Sequence, residues 1–240
     1  MMDRTVGRMA QAAVLEVASR ERILDAAEDL FARRGFAGVG MREVAEAAGL
    51  GKSSLFHHFK SKAEMYAAVV GRILDLFDCR LTVALAAGGG PLVRFDRWVD
   101  TLVDTFAQHP TSARLLLRSL FEDDELTGGS EEEQRADRTL KQLFAAIAGL
   151  LREGMQAGVF RTASVAHMLQ SLVGLSVYHF ASGEFGEEMF GESLFTPALV
   201  QQRKDEVKAL LHNGLVAPDG RRRRETTTSK EVTNDPKDAR

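Results

Sequence analysis

Five side chains between positions 52 and 58 could do chemistry together: Lys52, Ser53, Ser54, His57 and His58. All are hydrogen-bonding groups. They surround Leu55, which is spaced i, i+4 from Phe59, so a helix through them buries one stripe and presents the rest to solvent. From position 47 to 63 the chain carries Lys52, Lys60 and Lys62 and no carboxylate. An acid-free, lysine-bearing stretch suits a polyanion. Charge along the chain sharpens the contrast: residues 1–62 hold 10 basic and 8 acidic groups, residues 63–220 hold 14 and 22, and residues 221–240 hold 7 and 4. A solvated surface that touches nothing explains the same gap, and charge alone leaves both readings open. His57 and His58 are adjacent, so they do not share a helix face and are poor joint metal ligands.

The elements that must position these groups read as helices joined by short breaks. Ser19 is a natural N-cap for a first helix over 20–34, with Ile23, Ala27, Leu30 and Phe31 on one face and Gly35 beyond its end. Short helices follow over 41–48 and 52–59. Ser61-Lys62-Ala63-Glu64 is a capping-box pattern that opens a long helix with Met65, Tyr66, Val69, Ile73, Phe77 and Leu81 as its stripe. Gly88-Gly89-Gly90 ends that run, and Pro91 sits at the first position of a fifth helix. Further helices are expected over 112–122, 131–156, 164–182 and 197–215. The helix over 164–182 is apolar on more than one face, as expected of one covered on several sides. No segment alternates with period 2, so the fold class is all-α with nine helices.

Composition bounds the alternatives. Of 240 residues, 45% are hydrophobic and 27% charged, ordinary for a folded chain. The single cysteine, Cys79, excludes an intrachain disulfide framework and makes a reducing cytoplasm the expected location. No apolar run is long enough to span a membrane, and the patch Ala12-Ala13-Val14-Leu15 is too short for a signal peptide. Residues 217–240 hold little to bury and read as a solvated, disordered tail, within which Arg221-Arg222-Arg223-Arg224 could touch phosphates.

Ala48-Gly49-Leu50-Gly51 joins the two short helices as a glycine-containing turn, the helix-turn-helix arrangement. In that motif the first helix braces the DNA backbone and the second places its N-terminal residues against base edges in the major groove. Lys52 suits a guanine edge, and Ser53 or Ser54 serves several bases.

Residues 20–70 resemble the DNA-binding domain of TetR-type transcriptional regulators. The resemblance is carried by Gly35-Phe36, by Met41-Arg-Glu-Val-Ala-Glu-Ala-Ala-Gly-Leu50 and by Lys52-Ser-Ser-Leu-Phe-His-His-Phe-Lys-Ser-Lys62. It implies a nine-helix TetR-like fold. The parts would be an arm over 1–18, a three-helix helix-turn-helix domain over 19–66 and a ligand-binding and dimerisation bundle over 67–216. It also implies a homodimer on a palindromic operator of double-stranded DNA, released by a small-molecule effector. The DNA-facing positions it implies are Gly40, Met41, Arg42, Lys52, Ser53, Ser54, Phe56, His57, His58 and Lys62. Two of these depart from the family pattern. Gly40 and Met41 stand where the family usually has a capping Thr or Ser, and Phe56 stands where it commonly has Tyr.

For the effector, an apolar or aromatic molecule is expected, since pockets in helical bundles are lined mainly by such side chains. Trp98, Leu102, Phe106, Arg118, Phe121, Phe144, Met168, Leu172 and Tyr178 are the candidate lining, with Arg118 available to an acidic group; ordinary core packing is the plainer role for each. Pairing of the helices over 164–182 and 197–215 with their symmetry mates is the expected dimer contact. No nucleophile, phosphate-loop or dinucleotide motif is present, and no cofactor or metal is expected. The carboxylate runs Glu122-Asp123-Asp124-Glu125 and Glu131-Glu132-Glu133 have no histidine near them and read as loop and helix-start residues. Catalysis is therefore not expected. The competing reading is a helical ligand-binding or scaffold protein that has lost specific operator binding.

Overall fold

The computed structural model describes residues 2–120 and 129–217. Among them run ten helices: α1 Met2–Arg34, α2 Met41–Ala47, α3 Lys52–His58, α4 Lys62–Ala86, α5 Pro91–Gln108, α6 Pro110–Ser119, α7 Glu131–Gln156, α8 Val165–Ala181, α9 Glu184–Phe190 and α10 Pro197–Leu215. The fold is all-α, and among the described residues the nearest thing to a sheet is one antiparallel bridge between Phe160 and Val216.

Three boundaries differ from the sequence expectation. Ser19 does not cap α1; its Oγ donates back to the Leu15 carbonyl at 2.8 Å, a mid-helix bond. The stretch before it is rich in alanine and methionine, which favour continuing a helix over starting one. Helix α9 is additional to the nine expected. It spans seven residues, contains Gly186 and lies between Gly183 and Gly191, so it carries too little periodicity to be recognised. Helix α6 begins two residues early, because Pro110 is well suited to a first helical position.

The other ends obey local rules. Gly49 (φ 66°) takes the left-handed conformation after α2, and the N–H groups of Gly49 and Leu50 donate to the carbonyls of Glu46 and Ala45 at 3.0 and 2.9 Å. Ser61 accepts from Glu64 N at 3.0 Å at the start of α4. Ser130 and Glu133 form a reciprocal capping box on α7, so Glu131, Glu132 and Glu133 are first-turn residues.

Helices α1 to α3 and the start of α4 make a head whose core is Ile23, Phe31, Val44, Leu55, Phe59 and Tyr66, each fully buried. Phe31, Phe36 and Tyr66 pack edge-on or offset with centroids 5.0–6.2 Å apart. The remaining helices form the bundle. Helix α4 belongs to both, and all six residues of its expected stripe are buried. Along α5, Asp96, Asp100 and Asp104 meet His212, Lys208 and Lys204 of α10 at 2.5, 2.7 and 2.5 Å. Both triplets recur every four residues, so this antiparallel ladder fixes the register of α10 on α5.

Candidate nucleic-acid interface and ligand cavity

The turn geometry seats α3 by its apolar pair. Leu55 and Phe59 are buried, and the Arg20 guanidinium lies 5.2 Å from the Phe59 ring centroid. The opposite side of α3 is left outward: Lys52, Ser53, Phe56 and His57 are exposed, with Ser54 and His58 half-buried. Phe56 is 41% exposed, and Lys52 Nζ sits 5.6 Å from its ring centroid. His57 Nε2 lies 3.4 Å from Glu16 of α1. Burial, reinforced by the neighbouring His57, lowers the pKa of His58.

The remaining DNA-side candidates divide. Arg42 is exposed and pairs with Glu46 one turn on at 2.9 Å. Gly40 is exposed and offers α2 no side-chain cap. Met41 instead packs against the core. Lys62 is turned inward: its Nζ donates to the Phe36 carbonyl at 2.9 Å and stands 4.2 Å from the Phe36 ring centroid. Lys60, absent from the expected set, is exposed beside α3; the acid-free stretch was the signal that could have found it. Arg34 pairs with Glu43 and ties α1 to α2, and that hydrogen bond is the main cause lowering the Glu43 pKa.

In the bundle, α4 to α8 line a cavity of about 160 Å³ that opens to solvent beside Leu120 and Phe144. Five expected residues line it: Trp98, Leu102, Phe106, Phe144 and Leu172. Helix α4 adds Val70, Leu74, Phe77 and Leu81, which the sequence marked only as a buried stripe, and α7 adds Leu140, Leu143 and Ile147. Arg118 and Tyr178 are not part of the lining. On α6 the wall is Leu116, Ser119 and Leu120, and at 100° per residue Arg118 falls on the reverse face. On α8 the wall is Leu169, Leu172, Val173, Ser176 and Val177, which turns Tyr178 outward to 57% exposure. Met168 lines a separate surface pocket between α8 and α10, with Arg161 and His167. Phe121, like Glu122–Glu125 and Arg221–Arg224, lies outside the described residues.

Among the described residues no group of three His, Cys, Asp or Glu side chains is placed to hold a metal ion, and no helix is long and apolar enough to cross a membrane.

A head built around a helix-turn-helix, joined by one long helix to a helical bundle with a cavity, matches known proteins. Residues 23–69 match the family described as bacterial regulatory proteins, tetR family, and residues 91–211 match the tetracyclin repressor-like C-terminal domain. The chain belongs to the TetR family. It is thus a DNA-binding regulator of transcription. The transcriptional regulator RutR of Escherichia coli K12 is 26% identical over 206 residues, covering 82% of this chain and 91% of that protein. The transcriptional repressor SCO4008 of Streptomyces coelicolor is 29% identical over 146 residues, covering 61% of this chain and 69% of its own. In fold, the chain is similar to the ketosteroid transcriptional regulator KstR2 of Mycobacterium tuberculosis, with a TM-score of 0.65 at 22% identity, covering 82% of this chain and 94% of that one. It is equally similar to AibR in complex with isovaleryl coenzyme A and operator DNA, at 0.65 and 19% identity over 80% and 97%.

Proposed function

We propose that this TetR-family regulator is a repressor that binds a palindromic operator as a homodimer and is released by a small, largely apolar effector lodged in the bundle. The carrying observation is the outward face of α3: Lys52, Ser53, Phe56 and His57 stand exposed on a helix pinned by Leu55 and Phe59. In this reading Lys52, Ser53 and Ser54 address base edges, Phe56 packs on sugar or a thymine methyl, and Arg42, His57, His58 and Lys60 meet the backbone. Dimerisation uses the outward faces of α8 (His167, Ser171, Gly174, Tyr178) and α10, where Leu210 is exposed. Paired so, two α3 helices address major grooves roughly 34–36 Å apart. The place of action is the cytoplasm, and no catalytic step is involved. That AibR holds a ligand together with operator DNA supports joining the two activities in one chain of this fold.

Two polar links join head and bundle: Arg20 of α1 donates to Glu132 of α7 at 2.5 Å, and the second is Glu28 on α1. It accepts from Arg72 of α4 at 2.6 Å and from Thr111 of α6 at 2.6 Å, while α4 and α6 both line the cavity. Burial opposes the charge of Arg72, but the hydrogen bonds it donates to Glu28 and Asp25 outweigh that and raise its pKa. An effector that moves α6 or α4 therefore strains the contact that orients α1 and the head, and needs to favour the released state by about 1–3 kcal/mol to act.

An electrophoretic shift with the DNA upstream of the chain's own gene tests the proposal. Sequence-specific retention that falls steeply with salt is expected, and Lys52→Ala weakens it roughly tenfold, the worth of one base contact. The competing scaffold reading draws on Gly40, which leaves α2 without a side-chain cap. Retention equal on operator and unrelated DNA, unchanged by Lys52→Ala, would decide for it.

A further inference from the structure

We infer that the molecule taken by this cavity is uncharged, with an apolar body of about the bulk of one benzene ring and a single hydroxyl or carbonyl group that pairs with Ser176. The inference rests on the reading of the cavity as the effector site and adds the class of compound.

Among the described residues the lining contains no ionisable side chain; apart from the indole N–H of Trp98, its polar side chains are two serines. Ser119 commits its proton to the Leu116 carbonyl at 2.9 Å. Ser176 differs: it is 3% exposed, faces the cavity, and its Oγ makes no hydrogen bond among the described residues. The other serines of α8 and its C-cap turn back onto carbonyls, Ser171 onto His167 and Ser182 onto His179. A hydroxyl that opens onto an apolar wall gives a ligand group that donates to it or accepts from it a selective gain at that one point. A carboxylate or ammonium in the same place loses its water and gains no counter-ion, a far larger penalty. For size, an engineered protein cavity of roughly 150 Å³ takes up benzene, and this one measures about 160 Å³.

Trp98 lines the cavity and is the chain's one tryptophan, so its emission reports occupancy directly. The probes are four molecules with a common phenyl ring: ethylbenzene, benzyl alcohol, benzoate and benzylammonium, titrated into the full chain near neutral pH with calorimetry alongside. Benzyl alcohol is expected to saturate the Trp98 signal, with both ions binding at least about 100-fold more weakly. Ser176→Ala, a change that favours the helix, is expected to weaken benzyl alcohol about five- to tenfold and to leave ethylbenzene within about twofold. The inference is overturned if either ion binds as well as the alcohol, if Ser176→Ala lowers both neutral ligands alike, or if benzyl alcohol does not saturate. Operator binding measured on the same preparation separates the two proposals: a chain that ranks the probes as stated and ignores DNA refutes the repressor, not the ligand class.

Discussion

The head and the bundle solve opposite packing problems. In the head the interior is closed, with Ile23, Phe31, Val44, Leu55 and Tyr66 all fully buried, and the groups proposed to act stand outside on α3. In the bundle the outside is tied by ion pairs such as the α5–α10 ladder, and the proposed action is inside, in space that five helices do not fill. Rigidity serves the first, since base contacts need a fixed register. Incomplete packing serves the second, since a fully packed core has no room for a ligand. Between them α4 is shared, and the polar connection runs through Arg72, Glu28 and Thr111 and through the Arg20–Glu132 pair.

The sharpest break of this contrast is a pair of matched truncations. Leu55→Ala, in the closed head, is expected to cost about 2–5 kcal/mol in denaturant unfolding. Leu143→Ala, on a half-buried cavity wall, should cost well under half of that, because the leucine lacks neighbours on one side. Equal costs would mean that the bundle is as tightly packed as the head.

Acid separates the two regions next. His179 of α8 is 6% exposed, and burial, helped by the nearby Arg203, lowers its pKa from 6.5 to about 4. The folded chain thus keeps it neutral while the unfolded chain protonates it. Its contribution is full above pH 6.5 and is lost as pH falls toward 4, by about 2 kcal/mol. His179→Leu should flatten that part of the stability curve in chemical denaturation; an unaltered slope would assign acid sensitivity elsewhere.

Smaller effects sharpen the connection. Glu28→Gln is expected to cost about 1–2 kcal/mol, since it weakens bonds to two helices at a half-buried site. Glu21→Gln, which removes a more exposed partner of the same Arg72, should stay within about 0.5 kcal/mol. Similar thermal shifts for both would deny Glu28 its special position. Ser130→Ala should cost about 1 kcal/mol by opening the capping box, with no change in operator affinity.

Most of the head was legible in the sequence because its signals are local. A glycine in the left-handed conformation, a serine cap and an i, i+4 apolar pair each act within one or two turns, and α2, α3 and α4 begin where those signals place them. What the sequence does not show about Lys62 lies far along the chain: the Phe36 carbonyl that takes one of its donors is 26 residues away. Ser19 is a local case: it suits a cap chemically but is overridden by the helix-forming stretch directly before it.

Near-neighbour patterns, periodicity and capping, were enough for every described helix but α9, for the turn between α2 and α3, and for an acid-free outward face. Tertiary structure decided which side of α6 and α8 meets the cavity, sending Arg118 and Tyr178 away and Ser176 in. It also paired three aspartates of α5 with two lysines and a histidine of α10. A stripe records that a face is covered. What covers it, and how much space is left over, depends on the meeting of five successive helices, whose facing residues lie as far apart as Val70 and Val177.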